Sequence, residues 1–210
     1  MTTMATSTST MPAWLRRHLA ALRALLVFTV LLGLAYPLLI TGISQLVFPG
    51  AANGSQLTSG DKVVGSSLIG QNFTDDKGNP LPRYFQSRPS AAGKTGYDPT
   101  SSGPSNLGPN NADLVKAIKQ RRAELAAFNG VPESAVPADA VTASASGLDP
   151  DISPAYAAIQ VARIAKTRGL SVAQVQQLVD DNTSGRNLGF IGDPHVNVLQ
   201  LNLALDKLQP

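Results

Sequence analysis

A chain of 210 residues with 43% hydrophobic side chains and no cysteine has room for one cored domain, and it excludes disulfide scaffolds and thiolate metal sites. Its 17 Lys and Arg against 14 Asp and Glu give a net charge of +3. Arg16, Arg17 and Arg23 precede every acidic residue, and beyond them the two signs are equal in number, so the basicity is a gradient along the chain. That excludes the basic folded face on which a nucleic-acid binder depends.

Residues 1–13, rich in Thr and Ser, read as a disordered cytoplasmic tail, and 14–23 as a basic flank. Residues 24–48 carry no charge, and an apolar run of more than about 20 residues crosses a hydrocarbon core as one helix. Positive charge before the run places the N-terminus inside. A cleavable signal has an apolar core of only about 7–15 residues before small residues at the cut. Gly50-Ala51-Ala52 offers such a cut, but the run is too long for it. Its interior is also patterned: Thr29, Gly33, Pro37, Thr41 and Gln45 recur at every fourth position, along one slowly rotating row. Small and polar side chains on one face let membrane helices pack closely, and Gln45 costs less against protein than against lipid. The competing reading is that small residues are common in any membrane helix. The expectation is a retained helix packed against larger membrane subunits.

Residues 49–210 form the expected outer domain. Phe48-Pro49-Gly50 stops the helix. Val63-Val64 and Leu68-Ile69-Gly70 suit brief strands. Residues 75–110 are about half Gly, Pro, Ser and Asn, a long loop by turn chemistry, with Arg83-Tyr84-Phe85-Gln86 as a strand inside it. Asn110 or Asn111 caps a helix that Gly130 ends, with Leu114, Ile118, Leu125 and Phe128 as its apolar stripe. Lys116, Lys119, Arg121 and Arg122 on this helix read as a solvated face. Val141-Thr142-Ala143-Ser144 reads as a strand. Ser153-Pro154 starts a helix closed by Gly169, and Ser171 with Gln174 makes a capping box for the next. Residues 196–208 fit both a strand and a helix, and helix is the favoured reading. The fold class is a single-pass transmembrane α-helix plus one extracytoplasmic α+β domain.

Motifs for catalysis fail on inspection. Gly93-Lys94-Thr95 resembles the end of a phosphate-binding loop, but Arg88 stands where its first glycine belongs. Lys94-Thr95-Gly96 resembles a pump phosphorylation motif, with Gly93 in place of the acceptor aspartate. His18 and His195 are the only histidines, too few for a usual metal site, and no nucleophile elbow exists. His195 reads as a turn or surface residue. Asp149 and Asp151, just before Ser153-Pro154, read as helix-start residues. No catalytic residue and no metal ligand is assigned.

Read in order, the segments resemble one family. They are Tyr36-Pro37-Leu38, Thr41-Gly42, Phe48-Pro49, Ala52-Asn53-Gly54-Ser55, Gly65-Ser66-Ser67-Leu68-Ile69-Gly70-Gln71-Asn72-Phe73 and Tyr84-Phe85-Gln86-Ser87-Arg88-Pro89-Ser90. Ser105-Asn106-Leu107-Gly108, the run from Val141 to Pro150, Val196-Asn197-Val198-Leu199 and Leu201-Asn202-Leu203-Ala204-Leu205 continue the series. Collinear from Leu22 to Leu208, the chain is similar to the C subunit of the bacterial Kdp high-affinity potassium-transporting P-type ATPase.

The resemblance implies a non-catalytic subunit in the bacterial inner membrane, N-terminus cytoplasmic and C-terminal domain periplasmic. Its implied partners are a channel-like potassium-binding subunit, a P-type ATP-hydrolysing subunit, a small single-helix subunit and the lipid bilayer. The implied role is to stabilise assembly and to act as a catalytic chaperone that raises the pump subunit's affinity for ATP. ATP and potassium are handled by the complex, with no cofactor assigned to this chain. Because the outer domain lies across the membrane from the ATP site, the effect is expected to be indirect; Ser144, Ser146 and Gly147 are the candidates for direct nucleotide contact. Asn72, Tyr84, Arg88, Ser105 and Asn106 are candidates for a partner interface near the potassium entrance. The alternative for Arg88, Ser105 and Asn106 is internal scaffolding, with Arg83 and Arg88 stapling the loop beside Tyr84. A free-standing, membrane-anchored periplasmic binding domain for a polar small molecule is the main alternative function.

Overall fold

A computed structural model of the chain describes residues 11–208; most of the expected tail lies outside them. The chain divides into two units, one ending at Gly54 and one beginning at Ser55.

In the first unit, helix α1 (Ala13–Phe28), a π-helical segment (Thr29–Ala35) and helix α2 (Tyr36–Val47) form one continuous rod. Its 35 residues are long and apolar enough to cross a membrane, at about 50 Å against a hydrocarbon core of roughly 30 Å. The basic flank forms the first turns of this rod. The π segment has a local cause in Pro37. Proline lacks the N–H that would bond Gly33, and its ring crowds that carbonyl. Widening the preceding turn to i→i−5 bonds, as between the Tyr36 N–H and the Leu31 carbonyl, relieves the crowding without a break. Phe48 (φ −132°, ψ 55°) ends α2, and Pro49 then starts a single turn, α3 (Pro49–Ala52). This turn returns Asn53 towards Gln45, and their amides exchange two hydrogen bonds of 3.1 and 3.3 Å. Gln45 thus has a partner within its own unit.

The second unit is α+β with little β. Strands β1 (Gln56–Ser59) and β2 (Lys62–Ser66) form a hairpin. Residues 67–111 hold no helix or strand beyond a Thr74–Pro80 bridge. Helix α4 (Ala112–Asn129), short helix α5 (Ala138–Val141), strand β3 (Asp151–Ile152), helices α6 (Pro154–Arg168) and α7 (Val172–Asp181), strands β4 (Thr183–Ser184) and β5 (His195–Asn197), and helix α8 (Val198–Leu208) follow. β5 lies between β3 and β4, antiparallel to both. Tyr156 and Ile164 of α6, Val175 and Val179 of α7, Leu201 and Leu205 of α8, and Phe85 build the core.

The helix boundaries follow the local chemistry of the sequence. Asn111 accepts from the N–H groups of Asp113 and Leu114, Ser153 from Tyr156, and Ser171 and Gln174 complete a capping box. Gly130 and Gly169 close α4 and α6 at φ 67°, where a β-carbon is unfavourable.

Three expected strands are absent. Leu68-Ile69-Gly70 is a turn, because the Ser66 hydroxyl and carbonyl accept from Leu68 and Ile69. Val141 belongs to α5, and the chain after it is irregular. Arg83-Tyr84-Phe85-Gln86 is no strand: Arg83 and Tyr84 belong to a turn whose Tyr84 N–H bonds the Leu81 carbonyl, and beside Phe85 and Gln86 side-chain amides take the place of a neighbouring strand. Asn202 of α8 accepts from Phe85 N–H (2.9 Å) and donates to its carbonyl (3.0 Å). Gln160 of α6 does the same for Gln86 at 2.7 and 3.2 Å. The ambiguous C-terminal segment is both things in turn, a three-residue strand and then α8. On α4, Arg121 and Arg122 are half-buried, Arg121 donating to the Val141 carbonyl.

Candidate functional site

The long loop is clamped onto residues 141–150. Arg88 forms an ion pair with Asp149 at 2.7 Å, both side chains being less than a third exposed. Asp149 also accepts from the Asp151 N–H and so holds its own turn. Ser90 donates to the Gly147 carbonyl (2.6 Å) and accepts from the N–H groups of Ala92 and Tyr97. Tyr97 closes the circle by donating to the Arg88 carbonyl at 2.8 Å. Backbone bonds Gly70 N–H to Leu148 and Gly103 N–H to Ser146 (2.9 Å each) stitch both flanks. The approach is so close that a β-carbon on Gly147 would meet the Ala92 nitrogen and the Gly103 carbonyl at 2.9 Å.

Burial pushes the Tyr97 phenol up to about 12, and the nearby Asp149 charge adds to it. The unfolded phenol ionises near 10, so the native state holds its proton more tightly. The sign follows: stability is unaffected below pH 10 and falls as pH rises towards 12, by about 2 kcal/mol from this group. Tyr97→Phe should therefore flatten the decline between pH 10 and 12, measured by urea unfolding at stepped pH.

The other expected site residues fall in different places. Tyr84 is not beside Arg88. Its hydroxyl donates to Asp206 at 3.2 Å, and the guanidinium groups of Arg83 and Arg168 lie over its ring at 5.1 and 4.9 Å. Asn72 donates to the Thr95 carbonyl within the loop. Asn106 is exposed at φ 55°, and Ser105 accepts from Leu107 at 3.5 Å in a local turn. Ser144 and Ser146 accept from the N–H groups of Gly147 and Leu148. Asp151 pairs within the small sheet, donated to by Asn197 and 3.9 Å from His195; burial raises its pKa. The residue that supports the start of α6 is Asp139, which accepts from both the N–H and the hydroxyl of Ser153.

Sequence reasoning missed Gln160 and Arg163. Arg163, 9% exposed, donates to Asn129, Gln160 and the carbonyls of Pro82 and Tyr84, with its guanidinium 4.3 Å over Phe128. Burial lowers its pKa to about 10, which leaves it charged at neutral pH. Their signal was polar residues on the same face as Tyr156 and Ile164.

A cavity of about 490 Å³ opens between the clamp and α4, with Arg88, Ser90, Arg121, Glu124 and Tyr156 in its wall. Among the described residues no group of three or more His, Cys, Asp or Glu is placed to hold a metal ion. The arrangement is a polar scaffold that fixes an irregular loop against a helical core.

The family model described as the c chain of the K+-transporting ATPase, KdpC, matches residues 18–207. The potassium-transporting ATPase KdpC subunit of Beijerinckia indica is 53% identical over 187 residues, 89% of this chain and 91% of that protein. The KdpC subunit of Koribacter versatilis is 52% identical over 88% of this chain and 91% of its own. The Mycobacterium bovis KdpC subunit is 49% identical over 92% and 99%. The collinear motifs, the single apolar helix and these matches along nearly the whole chain place the protein in the KdpC family, the c chain of the K+-transporting ATPase complex.

Proposed function

We propose that this chain is a non-catalytic subunit that stabilises assembly of an ATP-driven, high-affinity potassium uptake complex in a bacterial inner membrane. Its N-terminus is cytoplasmic and its α+β domain lies outside, over the potassium entrance of a channel-like subunit. The observation that carries the reading is the clamp. The motif segments bond one another, the Arg88 guanidinium to the Asp149 carboxylate and the Ser90 hydroxyl to the Gly147 carbonyl, as a scaffold that shapes a surface requires. It raises the ATP affinity of a P-type ATP-hydrolysing partner indirectly, through helix contacts and linked conformational equilibria. The hydroxyls of Ser144 and Ser146 are already engaged by loop N–H groups, which favours the indirect route.

Mild-detergent purification of the tagged chain, followed by mass spectrometry, should recover a P-type ATPase, a channel-like protein and a small single-helix subunit in fixed ratio. Recovery of the chain alone would sink the reading. Photolabelling with an ATP analogue should mark the ATP-hydrolysing subunit; label within residues 144–147 would overturn the indirect route. Two substitutions separate scaffold from surface. Arg88→Ala breaks a partly buried ion pair and should cost about 2–3 kcal/mol in folding stability. Asn106→Gly removes an exposed side chain from a left-handed position that suits glycine. It should leave unfolding unchanged and report on partner contact through yield of the complex.

A further inference from the structure

Between β4 and β5 the chain forms a closed finger. Asn187 and Ile191 exchange two backbone hydrogen bonds of 2.9 Å, and the Gly189 and Phe190 N–H groups bond back to the Arg186 and Asn187 carbonyls. Gly189 and Gly192 take φ 82° and 79°, and Leu188, which has a β-carbon, is held at φ 53°. A non-glycine residue kept in that region marks a shape imposed by its surroundings. The side chains the finger presents are apolar: Leu188 is 83% exposed, Phe190 72% and Ile191 49%. Large apolar side chains grouped at the tip of a rigid loop are what a docking anchor presents, and the fixed backbone lowers the ordering cost of binding.

The charge around the base says what such an anchor fits. Arg186 is paired with Asp193 at 3.2 Å. Among the described residues, Asp180 and Asp181, just before β4, have only the neutral Gln176 and Gln177 as side-chain partners. These carboxylates lie in the last turn of α7, where the helix dipole disfavours negative charge. Surface-lying apolar elements that bind bilayers carry Lys and Arg for anionic lipid, whereas the base of this finger carries surplus negative charge.

We propose that residues 186–193 are a docking anchor that inserts Leu188 and Phe190 into an apolar socket with a basic rim on another protein subunit of the complex. The inference rests on the assembly reading above and adds the surface and the chemistry of its partner. The test uses the full chain co-expressed with the other subunits. Phe190→Asp, and separately Leu188→Ala with Phe190→Ala, should lower recovery of partner subunits at least tenfold while the melting curve of the chain is unchanged. Asp180→Asn with Asp181→Asn should flatten the salt dependence of recovery. Benzoylphenylalanine placed at position 190 should crosslink to a partner protein. Wild-type recovery by the finger variants overturns the docking anchor and leaves the assembly reading standing, as does crosslinking to lipid alone. Failure of the unsubstituted chain to recover any partner overturns both.

Discussion

Replacing Asn202 by leucine should lower the melting temperature of the full chain by roughly 10 °C, a loss of about 3–5 kcal/mol. Asn202 is 2% exposed and contributes nothing to any exposed surface. Among the described residues its amide is the only partner of the Phe85 N–H and carbonyl, at 2.9 and 3.0 Å. Leucine fits the space approximately but leaves both backbone groups buried with no partner, and each orphan costs about 1–3 kcal/mol. Phe85 is itself fully buried, so the segment cannot turn its backbone to water without withdrawing that ring from the core. Gln200→Leu, two residues earlier on the exposed side of α8, should change stability by less than about 0.5 kcal/mol. Thermal and urea unfolding of the two variants in detergent checks the contrast. Equal melting curves would show that the amide ladder carries no weight.

That ladder also explains where the sequence stopped being legible. Helix ends depend on residues within about four positions of one another, so Asn111, Ser153-Pro154, Ser171 and the two closing glycines could be read directly. The membrane-length rod followed from an uncharged run, and the position of Pro37 was visible, though not the π segment that accommodates it. Strands were harder. The segment Arg83–Gln86 has the residue types of a strand, but its partners are single amides 117 and 74 residues away. Pairing at that separation leaves no local period to detect. Val141 and Thr142 carry strand propensity, yet Thr142 closes α5 through its N–H and hydroxyl to the Ala138 carbonyl, and tertiary context overrides propensity. In the candidate site Arg88 was visible as a charged residue in a Pro- and Ser-rich loop. Its partner Asp149 is 61 residues away, and the sequence suggested a different role for it. The finger at 186–193 carries its own signal, three large apolar residues among two glycines and two charges where a loop is normally polar.

Gly147→Ala should be comparably damaging, for a steric reason. Gly147 sits at φ 69°, where a β-carbon costs about 1–2 kcal/mol. The added carbon would also stand 2.8–2.9 Å from the Ala92 β-carbon and nitrogen and from the Gly103 carbonyl. Two of those three atoms are backbone, so relief requires the loop to move away from residues 144–149. With about 1–3 kcal/mol of overpacking added, the expected loss is roughly 2–5 kcal/mol, with faster tryptic cleavage at the exposed Lys94 as the loop lifts. Gly108→Ala, with nothing within 4 Å of the new carbon, should be neutral. Because Gly147 is also a candidate for nucleotide contact, the same variant separates two roles. As a scaffold residue it should reduce the amount of assembled complex while the KM for ATP of what does assemble stays at the wild-type value. A nucleotide contact would instead raise that KM in complexes of normal yield and stability, and that result would show that Gly147 serves the nucleotide and not the clamp.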